Sequence, residues 1–128
     1  MDSVFSGCGY VGRQVARRER ELSGNVFAVV RSPSSAEQLI REGIQSIALD
    51  LEEISVLGFS LSDKVLYWFA PPQPEGVQDR RLRRCLELAA QIGQIPKRIV
   101  LISTTGVYGD CQGDWVTETR PRRPQTGR

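Results

Sequence analysis

Gly7-Cys8-Gly9-Tyr10-Val11-Gly12 follows the short run Ser3-Val4-Phe5-Ser6, where a first strand should hand over to a first helix. Each glycine permits something a side chain would forbid. Gly7 lets the chain turn sharply, Gly9 leaves no Cβ between backbone and a pyrophosphate, and Gly12 lets the following helix lie close to the sheet. A phosphate brought there meets unpaired N–H groups and the positive end of the helix dipole. A glycine turn opening any helix looks similar, so the rest of the chain has to support the reading.

Downstream, Val11, Val15, Ala16 and Leu22 give an apolar side to a helix whose other side is Arg13, Gln14, Arg17, Arg18, Arg20 and Glu21. Ser23-Gly24-Asn25 ends it. Val26-Phe27-Ala28-Val29-Val30 is nearly continuous in apolar character, as strands are when helices cover both faces of a parallel sheet. Pro33-Ser34-Ser35-Ala36-Glu37 reads as a helix start with Ser34 as cap and Glu37 reaching back; Ala36, Leu39 and Ile40 face inward. Gly43 stops that helix, and Ile44 to Leu49 supplies a third strand ending at Asp50. Leu51, Ile54, Leu57, Phe59 and Leu61 suit a short helix and a connector.

Val65-Leu66-Tyr67-Trp68-Phe69-Ala70 is a fourth buried strand, which Pro71-Pro72 and Pro74 forbid from continuing. From Gln78 to Gly93, Leu82, Cys85, Leu86, Ala89 and Ile92 mark the inward stripe of a long helix with its arginines outside. Arg98 to Ser103 is then strand five. The pattern is α/β: a Rossmann-type doubly wound parallel sheet in three αβα layers, with strand order 3-2-1-4-5 expected from right-handed crossovers. Strand five would be an edge, and an unpaired Ile99-Val100-Leu101-Ile102 ladder asks for a cover, most simply a sixth strand. The sheet is therefore expected to be incomplete at its carboxyl end. The first strand is also shorter and more polar than a central strand should be. The resulting division is a partial NAD(P)-binding domain over 1–109 and a basic loop or tail over 110–128, leading toward a missing catalytic and substrate region.

The 128 residues bound this to one compact unit, and 40% apolar content clustered in strand-like runs supports a folded body. A net charge of +2 does not argue for nucleic acid, although Arg80, Arg81, Arg83 and Arg84 form one cluster and Arg120, Arg122, Arg123 and Arg128 another. Three scattered cysteines without a histidine suggest neither a disulfide framework nor a metal site. They fit a reducing cytoplasm. No run approaches the roughly eighteen apolar residues of a membrane span, and the amino terminus does not read as an export signal.

In this architecture ligands gather outside the carboxyl ends of the strands. After strand one come the glycines, with Tyr10 and Val11 supplying the first helical N–H groups; Cys8, with no base beside it, reads as a small turn residue rather than a nucleophile. After strand two stands Arg31 followed by Ser32, where an acid would suit an unmodified ribose. A guanidinium that forks onto phosphate oxygens there favours a 2'-phosphate, hence NADP over NAD, unless Arg31 is simply a surface residue. Asp50 serves either to accept from an adenine amine or to cap a turn. Ala70 and Pro71 would run beside the cofactor, the prolines serving otherwise only to end a strand. After strand five, Ser103-Thr104-Thr105-Gly106-Val107-Tyr108-Gly109-Asp110 crowds hydroxyls near the expected nicotinamide, with Thr105 and Tyr108 as candidate walls of a substrate pocket.

Taken together, Gly7-Cys8-Gly9-Tyr10-Val11-Gly12, Trp68-Phe69-Ala70-Pro71-Pro72 and Ser103-Thr104-Thr105-Gly106-Val107-Tyr108-Gly109 resemble the extended and atypical short-chain dehydrogenase/reductase superfamily, specifically its NAD-dependent epimerase/dehydratase group. The resemblance covers essentially the whole chain, and a complete member would continue well past it. It implies hydride transfer to or from a carbonyl or hydroxyl carbon, an unidentified small-molecule substrate, and Thr104 as the candidate catalytic residue that polarises the reacting oxygen. Such enzymes also use a Tyr with a Lys four residues later. Tyr10, Tyr67 and Tyr108 all precede the expected place and none has that Lys, while an ungapped register after Glu118, Pro121 and Pro124 brings Arg128 to or beside the tyrosine position. A guanidinium does not replace a phenol as proton donor at neutral pH. The expectation is thus an oxidoreductase fragment with weak activity by itself, and the alternative a catalytically inactive NAD(P)-sensing or protein-binding module. The rest of the domain or a second copy would cover strand five.

Overall fold

In a computed structural model, which describes residues 1–22, 24–74 and 76–125, five parallel strands form one sheet in the order β3-β2-β1-β4-β5. The elements in chain order are β1 (Ser3–Ser6), α1 (Tyr10–Glu21), β2 (Val26–Val30), α2 (Pro33–Arg41), β3 (Gln45–Ala48), β4 (Val65–Trp68), α3 (Arg80–Gln91) and β5 (Arg98–Leu101), followed by a 3-10 turn over Thr105–Tyr108. The doubly wound order expected from crossover handedness is the one observed.

Alternation along the strands creates two cores. Phe5, Ala28 and Val30 face Ala16 of α1 and Ala36 and Leu39 of α2, while Val4, Val29, Leu66 and Trp68 face Cys85 and Ala89 of α3. Helices therefore cover both faces, with α1 and α2 on one and α3 on the other. Despite its length and polarity β1 is fully central: all four residues are buried, Ser3 and Ser6 included.

The helix faces differ in detail from the sequence pattern. In α1 the inward residues are Gly12, Val15 and Ala16, the Val15 side chain packing against the core, whereas Val11 and Leu22 are exposed. In α2 the cap is Ser32 rather than Ser34, with Ser32 Oγ accepting from Ser35 N at 3.2 Å. Pro33 is the reason: lacking an N–H and preset in φ, it suits the first helical position, which makes its predecessor the cap. Glu37 then lies 4.0 Å from Arg41 rather than over the helix start, and Ile40 faces solvent. In α3 Leu88 is buried and Ile92 is not.

Residues 51–63 form turns and no helix. Asp50 Oδ1 accepts from Glu52 N at 3.0 Å, and Gly58 with Ser55 and Ser60 weakens any helix that would follow. The apolar residues of the segment nonetheless fill the core beside α3, with Leu51 and Leu61 buried and Ile54, Leu57 and Phe59 packed around them.

β5 pairs with β4 and lies at the sheet's edge, with Ile99 and Leu101 exposed at 42% and 59%. From 109 to 125 the chain has turns but no regular element, tied back by Arg123 N donating to Val107 O at 2.8 Å and held within itself by Arg120 near Asp114 at 3.7 Å. Arg128 lies outside the described residues. Among the described residues no helix is long and apolar enough to cross a membrane.

Candidate functional site

At the carboxyl ends of the strands the connections part, the chain after β1 crossing over one face and the chain after β4 over the other. This reversal opens a crevice. A cleft of about 380 Å³ occupies it, lined among others by Gly7, Gly9, Arg31, Asp50, Ala70 and Pro71. Six residues expected at the ligand are thus brought together by four different connections.

Gly7 turns the chain at φ +83°, and a Cβ there would stand 2.6 Å from Ala70 N. Gly12 is packed against Gly7 O, 3.1 Å from where its own Cβ would be. Gly9 differs from both: a Cβ added to it meets nothing within 4 Å, so its surface faces open space. It is also the N-cap of α1, with no side-chain hydrogen bond to the helix start, whereas Ser32 and Asp79 cap α2 and α3. The first N–H groups of α1, those of Tyr10 and Val11, are thereby left for a ligand. The side chains of these two residues point to solvent, and neither residue is in the cleft lining, which meets α1 at Gly9 and Arg13.

Arg31 enters the cleft from the end of β2 and is exposed. Ser32 is committed to α2, donating its hydroxyl hydrogen to Ser35 Oγ at 2.8 Å, and Ser35 is the serine that lines the cleft. Asp50 also lines it while holding its own turn.

Arg13 and Arg81 line the cleft as well, neither singled out by the motif. Arg81 departs from the outward position expected for the α3 arginines: its side chain is only 12% exposed, Nη1 donates to Pro71 O at 2.9 Å, and Nη2 is 3.6 Å from Glu52. Three guanidinium groups and the Asp50 carboxylate thus face one space. The signal for Arg13, Ser35 and Arg81 is positional. Helices after parallel strands begin at the end where ligands collect, so their first turns belong to the site. Beside the glycines, burial pushes the Cys8 thiol up, against the pull of Arg13 and with the push of Glu42. The Cys8 side chain is core rather than reactive surface.

Ala70 and Pro71 also form the near wall of a second cavity of about 410 Å³, reaching to Ser103, Thr104 and Val107 beyond β5. Thr104 caps the 3-10 turn, its Oγ1 accepting from Gly106 N at 3.3 Å. That bond uses an acceptor lone pair and leaves the hydroxyl hydrogen to donate. Thr105 is not in this lining, and Tyr108 faces a separate cavity with Asp110, Arg120 and Arg123. The turn rotates Tyr108 away from Thr104.

No protein-family model matches the chain. It is 30% identical over 129 residues to an NAD(P)H azoreductase of Xenophilus azovorans, covering 97% of this chain and 43% of that protein. Among solved structures, a UDP-galactose 4-epimerase superposes with a TM-score of 0.75 at 24% identity, covering 99% of this chain and 46% of the other. A short-chain dehydrogenase/reductase superfamily protein from Agrobacterium tumefaciens, solved with bound NAD, gives a TM-score of 0.67 at 22% identity over 99% of this chain and 40% of its own length. The chain spans less than half the length of each of these three proteins. The strand order, the glycine turn and these likenesses converge on one fold: the chain has a Rossmann-type doubly wound sheet like that of the epimerase and the short-chain dehydrogenase/reductase structures it superposes on.

Proposed function

We propose that this chain is the dinucleotide-binding part of an epimerase/dehydratase-like oxidoreductase and takes NADP(H) in preference to NAD(H). The observation that carries the reading is the open space at Gly9 beneath an uncapped helix start, continuous with a cleft whose β2 end offers Arg31 and no acid. In this reading the N–H groups of Tyr10, Val11 and Gly12 receive the pyrophosphate, Arg31 the 2'-phosphate, and Asp50 the adenine amine. Ala70 and Pro71 wall the passage toward the nicotinamide end, where Thr104 donates to a substrate oxygen. A bound nicotinamide supplies hydride transfer. Thr105 and Tyr108 stand outside the lining around Thr104 and take no part in this reading.

In a protein of the relatives' length, further chain would cover the open edge of β5 and bring the acid–base groups that residues 110–128 approach. The free cysteines suit a reducing, cytoplasmic compartment. The relatives whose activities are named are a reductase and an epimerase, which lends nothing to a non-catalytic role.

Fluorescence titration with NADPH and NADH tests the reading. NADPH is expected to bind more tightly, by roughly tenfold for one charged hydrogen bond, and Gly9→Asp to abolish binding by placing a carboxylate where the pyrophosphate belongs. Equal or absent binding by wild type and variant overturns the assignment.

A further inference from the structure

β3 and β4 are not neighbours, since β2 and β1 stand between them in the sheet. The chain beyond each is nonetheless joined by one side chain from the first turn of α3. Arg81 Nη1 donates to Pro71 O at 2.9 Å, beyond β4, and its Nη2 is 3.6 Å from Glu52 Oε2, beyond β3. The side chain is only 12% exposed and lines the cleft. Arg80 holds the other Glu52 oxygen at 3.2 Å, and Arg84 Nε donates to Ile54 O at 3.0 Å. Three guanidinium groups of α3 thus grip a turn, 51–54, that has no helix or strand of its own.

A guanidinium is a rigid planar fork, so partners held on its two terminal nitrogens are also held at a set separation. The position of that bridge matters for a ligand. α1 packs on one face of the sheet and α3 on the other, so the cleft runs between the glycine turn and a wall made of Pro71, Arg81 and the chain at Asp50 and Leu51.

We infer that Arg81 is a positioning residue for the dinucleotide: bridged between Pro71 and Glu52, it sets the width of the cleft over the tips of β1 and β2. The inference rests on the dinucleotide reading above and deepens it. Both terminal nitrogens of Arg81 face protein acceptors, so its effect on the ligand passes through the wall it holds. A wall already in place spares the ordering cost that a loose one imposes on binding. NADPH and NADH gain from it alike.

The test titrates NADPH and NADH into wild type, Arg81→Met, Arg81→Lys and Glu52→Ala, with thermal unfolding alongside. Charge and bridging make opposite predictions at Glu52. Removing its carboxylate makes the cleft more positive, which by charge alone tightens a phosphate-bearing ligand; removing an anchor of the bridge weakens it. Arg81→Met and Glu52→Ala are each expected to weaken both dinucleotides about tenfold, as for one lost charge-assisted hydrogen bond, with the NADPH/NADH ratio unchanged. Arg81→Lys keeps the charge but not the fork, so it should recover little of the loss. Glu52→Ala keeps the test open if Arg81→Met misfolds. Tighter or unchanged binding by Glu52→Ala, full recovery by Arg81→Lys, or a shifted NADPH/NADH ratio would each overturn the inference. A wild type that binds neither dinucleotide removes the parent reading and this one with it; a wild type that binds and loses binding in Gly9→Asp, but not in Arg81→Met or Glu52→Ala, removes only this one.

Discussion

Gly7 lies backbone to backbone against Ala70, so close that a Cβ on Gly7 would stand 2.6 Å from the Ala70 amide nitrogen. The contact joins the tip of β1 to the tip of β4 and, with φ at +83°, allows no side chain on either count. Gly7→Ala is expected to cost about 2 kcal/mol or more, through left-handed strain and a displaced strand tip. Gly9→Ala, with open space around its Cβ, should stay within about 0.5 kcal/mol of wild type. Urea unfolding of the pair checks this, and equal midpoints would contradict the packing described.

Ser3 is 1% exposed and its Oγ has no hydrogen-bond partner. Removing a buried hydroxyl that bonds to nothing removes a desolvation cost, so Ser3→Ala is expected to be neutral or to stabilise by up to about 1 kcal/mol. Chemical denaturation decides it. A clear loss of stability would mean that the hydroxyl has a partner after all.

Tyr67 Oη donates to Glu19 Oε1 at 2.9 Å, linking β4 to α1. Burial first, then the hydrogen bond to Glu19 and its charge, hold the phenol above its ordinary 10.0, with Arg98 pulling the other way. The folded state thus keeps the proton more tightly than the unfolded chain. Its contribution to stability is fully present below pH 10.0 and is lost as pH rises through the higher folded value. Glu19→Gln should bring the phenol's titration closer to 10.0. Phenolate absorbance, with Tyr67→Phe to identify the residue, is the measurement; a Tyr67 that titrates below its ordinary value would refute the prediction.

Burial pushes the Cys85 thiol up to about 11 and raises Cys8 as well, whereas Cys111 is partly exposed. Since the thiolate is the nucleophile, an alkylating reagent at neutral pH should modify Cys111 first and Cys85 only after unfolding. Peptide mapping of the native protein reads the order. Early labelling of Cys85 would show that α3 opens readily from the sheet.

The strands were legible because a parallel sheet covered on both faces demands apolar runs, and Val26–Val30 and Val65–Trp68 supply them. Helix faces were harder. Where α1 packs through Gly12, Val15 and Ala16, the exposed Val11 and Leu22 mislead a reading that equates apolar character with burial. In residues 51–63 apolar spacing gave the core members but not their conformation, since turns bury Leu51 and Leu61 as well as a helix would. At the site, residues fixed by backbone position, such as Gly7, Gly9 and Ala70, follow from the motif. Arg13, Ser35 and Arg81 depend on where a side chain points from a helix's first turns, which a motif does not encode.

Ala70 and Pro71 form a party wall between the two chambers. Enlarging either residue narrows both rooms at once, so the shapes of the two are not independently adjustable there. A change confined to the second chamber is thereby steered to the opposite wall, at Ser103, Thr104 and Val107, where a different side chain leaves the glycine-lined cleft untouched.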